Sequence, residues 1–322
     1  MMKRILVALV ATAALLGLAT AGAQDKKTRI SIGTGGTGGV YYPLGGGLAA
    51  ILTKYVPGLE ATAEVTAGSL ANLQLIGGGK SELGFTMADA AWDAFNGLDK
   101  FSGKKVGLRT LAVFYPNRMH VVTIEGTGIN KFTDMKGHRI ATGAPASGTE
   151  ITAMRLLEAY GLDPNKDVTR ERLSVAESVN ALKDRKIDAF FWVGGVPTPS
   201  VTDLAATPGV KIKLIDHGDG VENLRKKYGP IYVKNRILKG AYPGDDVDTT
   251  NMDVWNLLVV PENADENLVY QITKTLFEKK DELVKVHKDA SFLELANQTP
   301  NASPIPYHPG ALRYFRERGL KM

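Results

Sequence analysis

Short apolar runs alternate with helix-like spacing along most of the chain. In the first third, three strand patterns lie at Arg29–Ile32, Ala61–Val65 and Leu83–Thr86, and a helical pattern follows each of them. Ser69 stands where an N-cap is expected for the second of these helices, and the third helix spans Asp89–Asn96. Strands and helices that alternate at this length are typical of a parallel sheet covered by helices.

The rest of the chain continues this alternation. Two apolar strands, Leu108–Phe114 and Met119–Ile124, are separated by the run Tyr115-Pro116-Asn117, which we interpret as an interruption. Ser174 and Glu177 have the spacing of a capping box, which marks a helix start. The remaining predicted elements are the strands His138–Thr142, Ala189–Val193 and Asn251–Val260, the helices Thr149–Tyr160, Ser174–Lys183 and Pro309–Gly319, and a helical stretch over Glu262–His287.

The first 23 residues have the pattern of an export signal. Lys3 and Arg4 form a charged start, Ile5–Ala19 is continuously apolar, and Ala21-Gly22-Ala23 supplies the small residues that signal peptidase reads. The apolar run of about 15 residues is shorter than the roughly 20 residues that span a bilayer. The sequence therefore predicts cleavage after Ala23 and a protein exported to the periplasm.

Length, charge and cysteine content narrow the class of protein. A chain of 322 residues predicts two domains of ordinary size. The 39 Lys and Arg against 34 Asp and Glu leave a net charge of +5 that is dispersed, so we expect no nucleic-acid partner, which would need clustered positive charge. The absence of cysteine excludes disulfides, thiolate metal sites and cysteine nucleophiles. The five histidines lack metal-ligand spacing, and we expect neither a metal nor a cofactor.

A glycine-rich segment follows the first predicted strand. The run Gly33-Thr34-Gly35-Gly36-Thr37-Gly38 satisfies the dinucleotide-binding pattern, but Thr53, Lys54 and Tyr55 stand where that pattern needs an acid. A nicotinamide cofactor site is therefore not predicted. Small residues also let N–H groups at a helix N-terminus approach an anion, so this segment is a candidate anion site.

A second loop of the same kind lies in the middle of the chain. In Ala144–Glu150, Ser147 and Glu150 have capping-box spacing, while Gly148 and Thr149 add free N–H groups and a hydroxyl. This loop stands at the end of a predicted strand, where open α/β sheets bind ligands. A third stretch, Asp188–Gly195, ends a strand in aromatic residues and glycines, and its Trp192 is a candidate for lining a pocket.

Together these stretches resemble the TAXI family of substrate-binding receptors, which serve tripartite ATP-independent periplasmic (TRAP) transporters. The run Gly33–Pro43 matches the opening motif of that family. Three further matches follow in family order over nearly the whole chain after residue 23: Ala67-Gly68-Ser69 with Asn72 and Leu73, then Ala144–Thr149, then Asp188–Pro197.

The resemblance implies a type II periplasmic binding-protein fold, in which two α/β domains close on a ligand like a clam shell. It implies that the ligand is a small anionic metabolite (glutamate, glutamine or a dicarboxylate such as 2-oxoglutarate), that a TRAP-type membrane permease is the partner, and that the protein is not an enzyme. Two departures concern selectivity and the second loop. Thr86-Met87-Ala88-Asp89 replaces a Gln-Ser-Asp-like run, and Ala146 replaces a common glycine.

On this basis we expect domain I to comprise residues 24–118 and 251–322, and domain II to comprise residues 119–250. Crossings near 119–125 and 248–256 would form the hinge, and the ligand would lie in the cleft. We expect a monomer. Asp89 has two interpretations, because it can bind an ammonium group or cap its own helix. The candidate ligand-binding residues are Thr37, Gly38, Tyr41, Ser69, Asn72, Asp89, Ser147, Gly148, Thr149, Trp192 and Gly194.

Two other classes of function remain open from the sequence. A periplasmic receptor that senses a ligand for a signalling kinase would have the same fold and the same cleft. An exported hydrolase using Ser69 or Ser147 would need a base within hydrogen-bond reach, and neither serine lies in a G-x-S-x-G motif.

Overall fold

The structure is a computed structural model that describes residues 27–322, and the predicted export signal lies outside these residues. This part of the chain is a mixed α/β fold. Its strands are β1 (Thr28–Gly33), β2 (Leu59–Glu64), β3 (Leu83–Met87), β4 (Leu108–Ile124), β5 (Arg139–Ala141), β6 (Thr169–Glu171), β7 (Ala189–Gly194), β8 (Ile212–Leu214), β9 (Tyr232–Ile237) and β10 (Thr249–Pro261).

Helices follow most of these strands, as the alternating pattern predicts. They are α1 (Tyr41–Tyr55), α2 (Ser69–Gly77), α3 (Ala88–Asn96), α4 (Gly148–Ala159), α5 (Val175–Lys183), α6 (Pro199–Ala205), α7 (Val221–Tyr228), α8 (Glu266–Glu278), α9 (Lys280–Val286) and α10 (Pro309–Glu317). None of the helices within residues 27–322 is long and apolar enough to cross a membrane.

All the strands of this region join one sheet. Eight of them follow the order β2-β1-β3-β10-β4-β7-β5-β6, while β8 pairs with β4 and β9 pairs with β10. β1 is parallel to β2 and β3, and β5 is parallel to β6 and β7. The long strands β4 and β10 lie between these two parallel groups and are antiparallel to their neighbours.

The two long strands connect the halves of the molecule. β4 pairs with β10 as far as Arg118, opposite Asp253, and pairs with β7 from Arg118 onward. β10 pairs with β9 over its first half and with β3 over Asn256–Val259. We call β1–β3, α1–α3 and α8–α10 lobe 1, and β5–β9 and α4–α7 lobe 2. The chain therefore passes between the lobes along two adjacent strands.

The predicted interruption at Tyr115-Pro116-Asn117 is wrong, because β4 continues from Leu108 to Ile124. Proline has no N–H to donate to a neighbouring strand, and in sheets it is found at edges and bulges. Pro116 lies opposite Trp255, next to a shift of register in the pairing of β4 with β10. The local irregularity accommodates the proline, and the strand continues through the junction of the lobes.

Several short elements carry no signal in the sequence. β6, β8 and β9 and the helices α6 and α7 are each eight residues or fewer, too short to establish a hydrophobic period. The four central residues of β9 are exposed, so the strand lacks alternation as well. The predicted helical stretch over Glu262–His287 is two helices: α8, which begins only at Glu266, and α9, which begins at Lys280.

The main apolar core is continuous through both lobes. It includes Leu73 and Phe85 from lobe 1, Leu257 from β10, and Leu156 and Phe191 from lobe 2, all at most 1% exposed. A second cluster on the other face of the lobe 2 sheet contains Phe190, the neighbour of Phe191, because successive strand residues point to opposite faces. Packing between the lobes therefore contributes to the core of this closed arrangement.

The predicted helix caps meet with mixed outcomes. The capping box of Ser174 and Glu177 is confirmed at the start of α5. At α4 only half of the box forms: Ser147 Oγ accepts the N–H of Glu150 at 3.1 Å, but the Glu150 carboxylate pairs with Arg172 instead. The capping role of Ser69 is wrong, since Gly68 is the N-cap of α2 and the Ser69 hydroxyl has another partner.

An independent cap offers a first prediction on stability. The Asp265 carboxylate accepts the N–H of Leu268 at 2.7 Å at the start of α8, away from the cleft between the lobes. Replacing an N-cap side chain by alanine leaves a backbone N–H without a partner and costs about 1 kcal/mol. We expect Asp265→Ala to lower the free energy of unfolding by about that amount in urea titrations. Asp265→Asn, which keeps the acceptor, should lose less than half as much, and equal losses would contradict the capping role.

Candidate functional site

A cavity lies between the lobes, at the ends of the strands that the glycine-rich loops follow. It encloses about 670 Å³ together with the space at its open mouth. The first glycine loop, the loop before α2 and the end of β3 line it from lobe 1, and the loops before α4 and α5 and the end of β7 line it from lobe 2. The predicted site residues that line it are Tyr41, Ser69, Ser147, Gly148, Thr149, Trp192 and Gly194.

The cavity has no charged wall. Its lining contains no Asp, Glu, Lys, Arg or His, and its polar groups are hydroxyls, one side-chain amide, the indole of Trp192 and the backbone. Within residues 27–322, no three His, Cys, Asp or Glu side chains are grouped so that they could hold a metal ion. A charged ligand in this cavity must therefore be matched by dipoles rather than by an opposite charge on a side chain.

Helix N-termini supply those dipoles. The residues at or beside the starts of α1, α2, α3, α4 and α5 all contribute to the lining: Tyr41, Ser69, Met87, Gly148 and Val175. The first N–H groups of a helix have no partner within the helix, and the aligned peptide dipoles place about half a positive charge there. Helix starts from both lobes face one space, and this arrangement favours an anion.

The start of α4 shows how the sequence builds one such donor group. The cap bond uses Ser147 Oγ and the N–H of Glu150, so the N–H groups of Gly148 and Thr149 have no partner among the described residues. Thr149 Oγ1 accepts the N–H of Val193 at 3.3 Å, which leaves its hydroxyl proton available. Ala146 holds the loop in the left-handed region, with φ of 62°, a conformation that glycine adopts more readily.

Lobe 1 contributes hydroxyl groups. Ser69 Oγ accepts the N–H of Met87 at 3.1 Å, so its proton can be donated elsewhere. The Tyr41 hydroxyl donates to the Asn256 side-chain oxygen, which also accepts from Asn117. Burial raises the pKa of Tyr41 far above its ordinary value, which keeps the phenol neutral. The ring of Tyr41 stacks on Phe85 with centroids 5.2 Å apart, which holds its position.

Trp192 at the end of β7 is held from two sides. Its indole N–H donates to Thr198 Oγ1 at 2.8 Å, and its ring faces the first glycine loop. A Cβ on Gly39 would lie 2.8 Å from the ring edge, so only glycine allows the loop to approach the indole this closely. Trp192 was predicted to line a pocket, and it forms part of the cavity wall.

Four predicted residues lie outside the lining. Gly38 packs against lobe 2, where its carbonyl accepts the N–H of Ser200 at 3.2 Å. The Asn72 amide donates to the carbonyls of Thr34 and Phe85 and so joins the glycine loop to β3. Thr37 is not among the lining residues, and Asp89 is buried in a separate group of charges described below.

Other lining residues were not predicted as ligand contacts. Tyr115 and Asn117 reach the cavity because β4 continues through the junction of the lobes. Met87 is the last residue of β3, and Ser174 lies between the end of β6 and the start of α5. The capping box at Ser174 is the one local signal that could have drawn attention to this position, since it locates a helix N-terminus.

The lobes are in direct contact beside the cavity, so the arrangement is closed. The N–H of Ala71 in lobe 1 donates to the carbonyl of Ala146 in lobe 2 at 3.2 Å. Gly148 lies against Ser69 and Met87, and a Cβ there would be 2.8 Å from Ser69 Oγ and 2.4 Å from the Met87 methyl. A ligand in the cavity would be enclosed by both lobes.

Comparison with known proteins agrees with this architecture. The chain belongs to the NMT1-like family, whose model matches residues 32–319. The closer assignment to the TAXI family remains a prediction from the sequence motifs.

Solved structures with low identity show the fold. A structure from Bordetella bronchiseptica RB50 is 20% identical over 90% of this chain and 89% of its own, with a TM-score of 0.52. A Streptococcus mutans structure from work on glutathione import through GshT and the cystine importer TcyBC is 12% identical over 82% and 95%, with a TM-score of 0.52. A Listeria monocytogenes protein provisionally described as an L-cystine ABC transporter is 16% identical over 83% and 96%, with a TM-score of 0.50. The periplasmic binding-protein fold predicted from the sequence is thereby confirmed.

Proposed function

We propose that the protein is an exported solute-binding protein that captures a small carboxylate between its lobes. We further propose that it delivers this ligand to a TRAP-type membrane permease in the periplasm. The observation that carries the proposal is the uncharged cavity between two lobes, surrounded by helix N-termini from both. Residues 24–118 with 251–322, and residues 119–250, are the proposed moving domains, hinged on the paired strands β4 and β10.

The cavity chemistry supports a carboxylate as the ligand. A carboxylate can accept the N–H groups of Gly148 and Thr149 and the hydroxyl of Thr149 or Ser69, and each hydrogen bond to a charged group contributes about 1.5–3 kcal/mol. The absence of acidic and basic side chains from the lining supports a ligand whose negative charge is held by N–H and O–H dipoles. Glutamate, glutamine and 2-oxoglutarate are the candidates that the TAXI resemblance adds.

A hydrolytic function has less support. Ser69 and Ser147 both line the cavity, but no histidine does, and the hydroxyl of Ser147 is engaged in capping α4. His287 is bonded to the carbonyl of Pro197, and His120 to the Tyr242 hydroxyl. A nucleophilic serine needs a base within hydrogen-bond reach, so these contacts favour binding without turnover.

Calorimetric titration tests the ligand class. We expect glutamate, glutamine, 2-oxoglutarate or succinate to bind, and the α-amide of the best ligand to bind about 10- to 150-fold more weakly, which corresponds to about 1.5–3 kcal/mol. Thr149→Val keeps the side-chain shape but removes the hydroxyl, and we expect a similar loss of affinity for the carboxylate.

A matched threonine provides the control. The Thr207 hydroxyl donates to the carbonyl of Asp203 within lobe 2, away from the cavity, so Thr207→Val should bind as the natural protein does. Preferential binding of a neutral sugar, with Thr149→Val unchanged, would refute the carboxylate site. Accumulation of a product beyond one equivalent of protein would favour the hydrolase instead.

A further inference from the structure

A buried group of charges joins the lobes at one side of the cleft. Arg155 extends from α4 in lobe 2, and its Nη2 lies 2.6 Å from Asp93 and 3.2 Å from Asp99, both in lobe 1. Its Nη1 donates to the Tyr232 hydroxyl at 3.0 Å and lies 3.9 Å from Asp89. The arginine side chain is 9% exposed. Tyr232 belongs to lobe 2, whereas the three aspartates belong to lobe 1, so the contacts with the aspartates exist only while the lobes are together.

The aspartates of lobe 1 have their side-chain partners in lobe 2. Asp89 is 1% exposed and accepts the hydroxyls of Thr152 and Tyr232, at 3.1 and 3.0 Å, both from lobe 2. Three carboxylates share one guanidinium, and burial raises the pKa of Asp93 to about 6. Without Arg155 the closed arrangement would bury carboxylates that lack a matching charge, which is strongly unfavourable.

The group is separate from the proposed ligand site. Arg155, Asp89, Asp93, Asp99 and Tyr232 do not line the cavity between the lobes. Any effect of Arg155 on ligand binding is therefore indirect, made without contact between Arg155 and the ligand. An arginine suits this role, because its planar guanidinium presents Nη2 to the two carboxylates and Nη1 to the Tyr232 hydroxyl at once, a set of donors that lysine cannot reproduce.

We propose that Arg155 is a closure latch, a positioning residue that holds lobe 2 against Asp93 and Asp99 of lobe 1 and so sets the fraction of molecules that are closed. This inference rests on the proposed closing movement of the lobes. The latch biases the equilibrium toward the closed form without touching the ligand, and a bias of this kind raises affinity by enlarging the population competent to hold a ligand.

The test measures the distance between the lobes directly. The chain has no cysteine, so Gln271→Cys on α8 and Asn180→Cys on α5, both exposed, allow two spin labels to be placed uniquely. In full-length exported protein without ligand, pulsed electron resonance should find a short-distance population that Arg155→Met reduces at least tenfold. Arg155→Lys should give an intermediate distribution, and Asp93→Asn, which keeps the side-chain shape, should also shift toward longer distances.

The control is another arginine with a close carboxylate partner. Arg139 pairs with Asp188 within lobe 2 at 2.6 Å, so Arg139→Gln removes an ion pair without affecting the contact between lobes. A purely structural role for Arg155 would lower the melting temperature and leave the distances unchanged, and that result would overturn the proposal. A ligand-free natural protein that lacks the short distance would overturn it as well.

The two proposals can fail separately. Addition of L-glutamate to the same labelled proteins should sharpen the short-distance population. The bound glutamate should dissociate at least tenfold faster from Arg155→Met than from the protein with Arg155. If glutamate and the other carboxylates leave every distribution unchanged, the proposed ligand class is wrong, while the ligand-free comparison still decides the latch.

Discussion

Gly148→Val is expected to weaken ligand binding about 5- to 150-fold while the protein remains folded. Gly148 is the first residue of α4, and the Cβ of any other residue would approach the Met87 methyl to 2.4 Å and Ser69 Oγ to 2.8 Å. Met87 and Ser69 belong to the opposite lobe, so the clash exists only in the closed arrangement. Overpacking of this kind costs about 1–3 kcal/mol, which is the expected loss in binding free energy.

Gly46→Val is the matched control for this substitution. Gly46 also lies in a helix, but no atom lies within 4 Å of the position that its Cβ would occupy. We expect it to leave binding unchanged and the stability slightly higher, because glycine in a helix interior is unfavourable. Calorimetry with the best carboxylate, together with thermal unfolding of the free protein, distinguishes the two variants. Unaltered affinity in Gly148→Val would contradict closure in the arrangement described.

Phe85→Ala is expected to lower the free energy of unfolding by about 3–5 kcal/mol. Phe85 is fully buried on β3 and contacts two aromatic rings, stacked on Tyr41 at 5.2 Å and edge-on to Phe114 at 5.5 Å between centroids. Its removal leaves a cavity beneath Tyr41, the first residue of α1. The same variant should also weaken ligand binding, since Tyr41 loses the surface that positions it.

Phe85→Leu separates packing volume from aromatic contact. Leucine fills most of the space, so a loss of about 1.5 kcal/mol or less is expected in denaturant titrations. If Phe85→Ala lowers the free energy of unfolding by less than about 1 kcal/mol, the buried ring contributes little to the stability of the core, contrary to this prediction. If Phe85→Leu binds the carboxylate normally, the stack on Tyr41 contributes to stability only.

The main helices and strands could be predicted from the chain because their signals are local. Each of the helices that start at Gly148 and Val175 is preceded by a capping serine and has a glutamate in its first turn. The glycine loops mark the ends of strands. The polar character of the cleft was also predictable, since the loops that form it carry hydroxyls and glycines and few basic residues.

Single residues were harder to place where their partners are distant in sequence. Asn72 follows a matching motif, but its amide serves the backbone of Thr34 and Phe85, and Asp89 pairs with lobe 2. Tyr115 and Asn117 appeared to interrupt a strand, because a proline between them normally does so. The shift of register beside Trp255 in β10, a strand more than a hundred residues later, accommodates the proline and lets β4 continue.

The sequence by itself determined the fold class, the order of most elements and the helix N-termini that surround the cleft, because each depends on neighbouring residues and on hydrophobic period. The tertiary structure alone decided which of these residues share the cavity, which charges meet across the lobes, and that Arg155 lies between Asp93 and Asp99. Such contacts join residues 56 and 62 positions apart, and no local pattern records them. They arise where the two lobes meet, and the free energy of these contacts depends on shape and charge at surfaces that only the folded chain brings together.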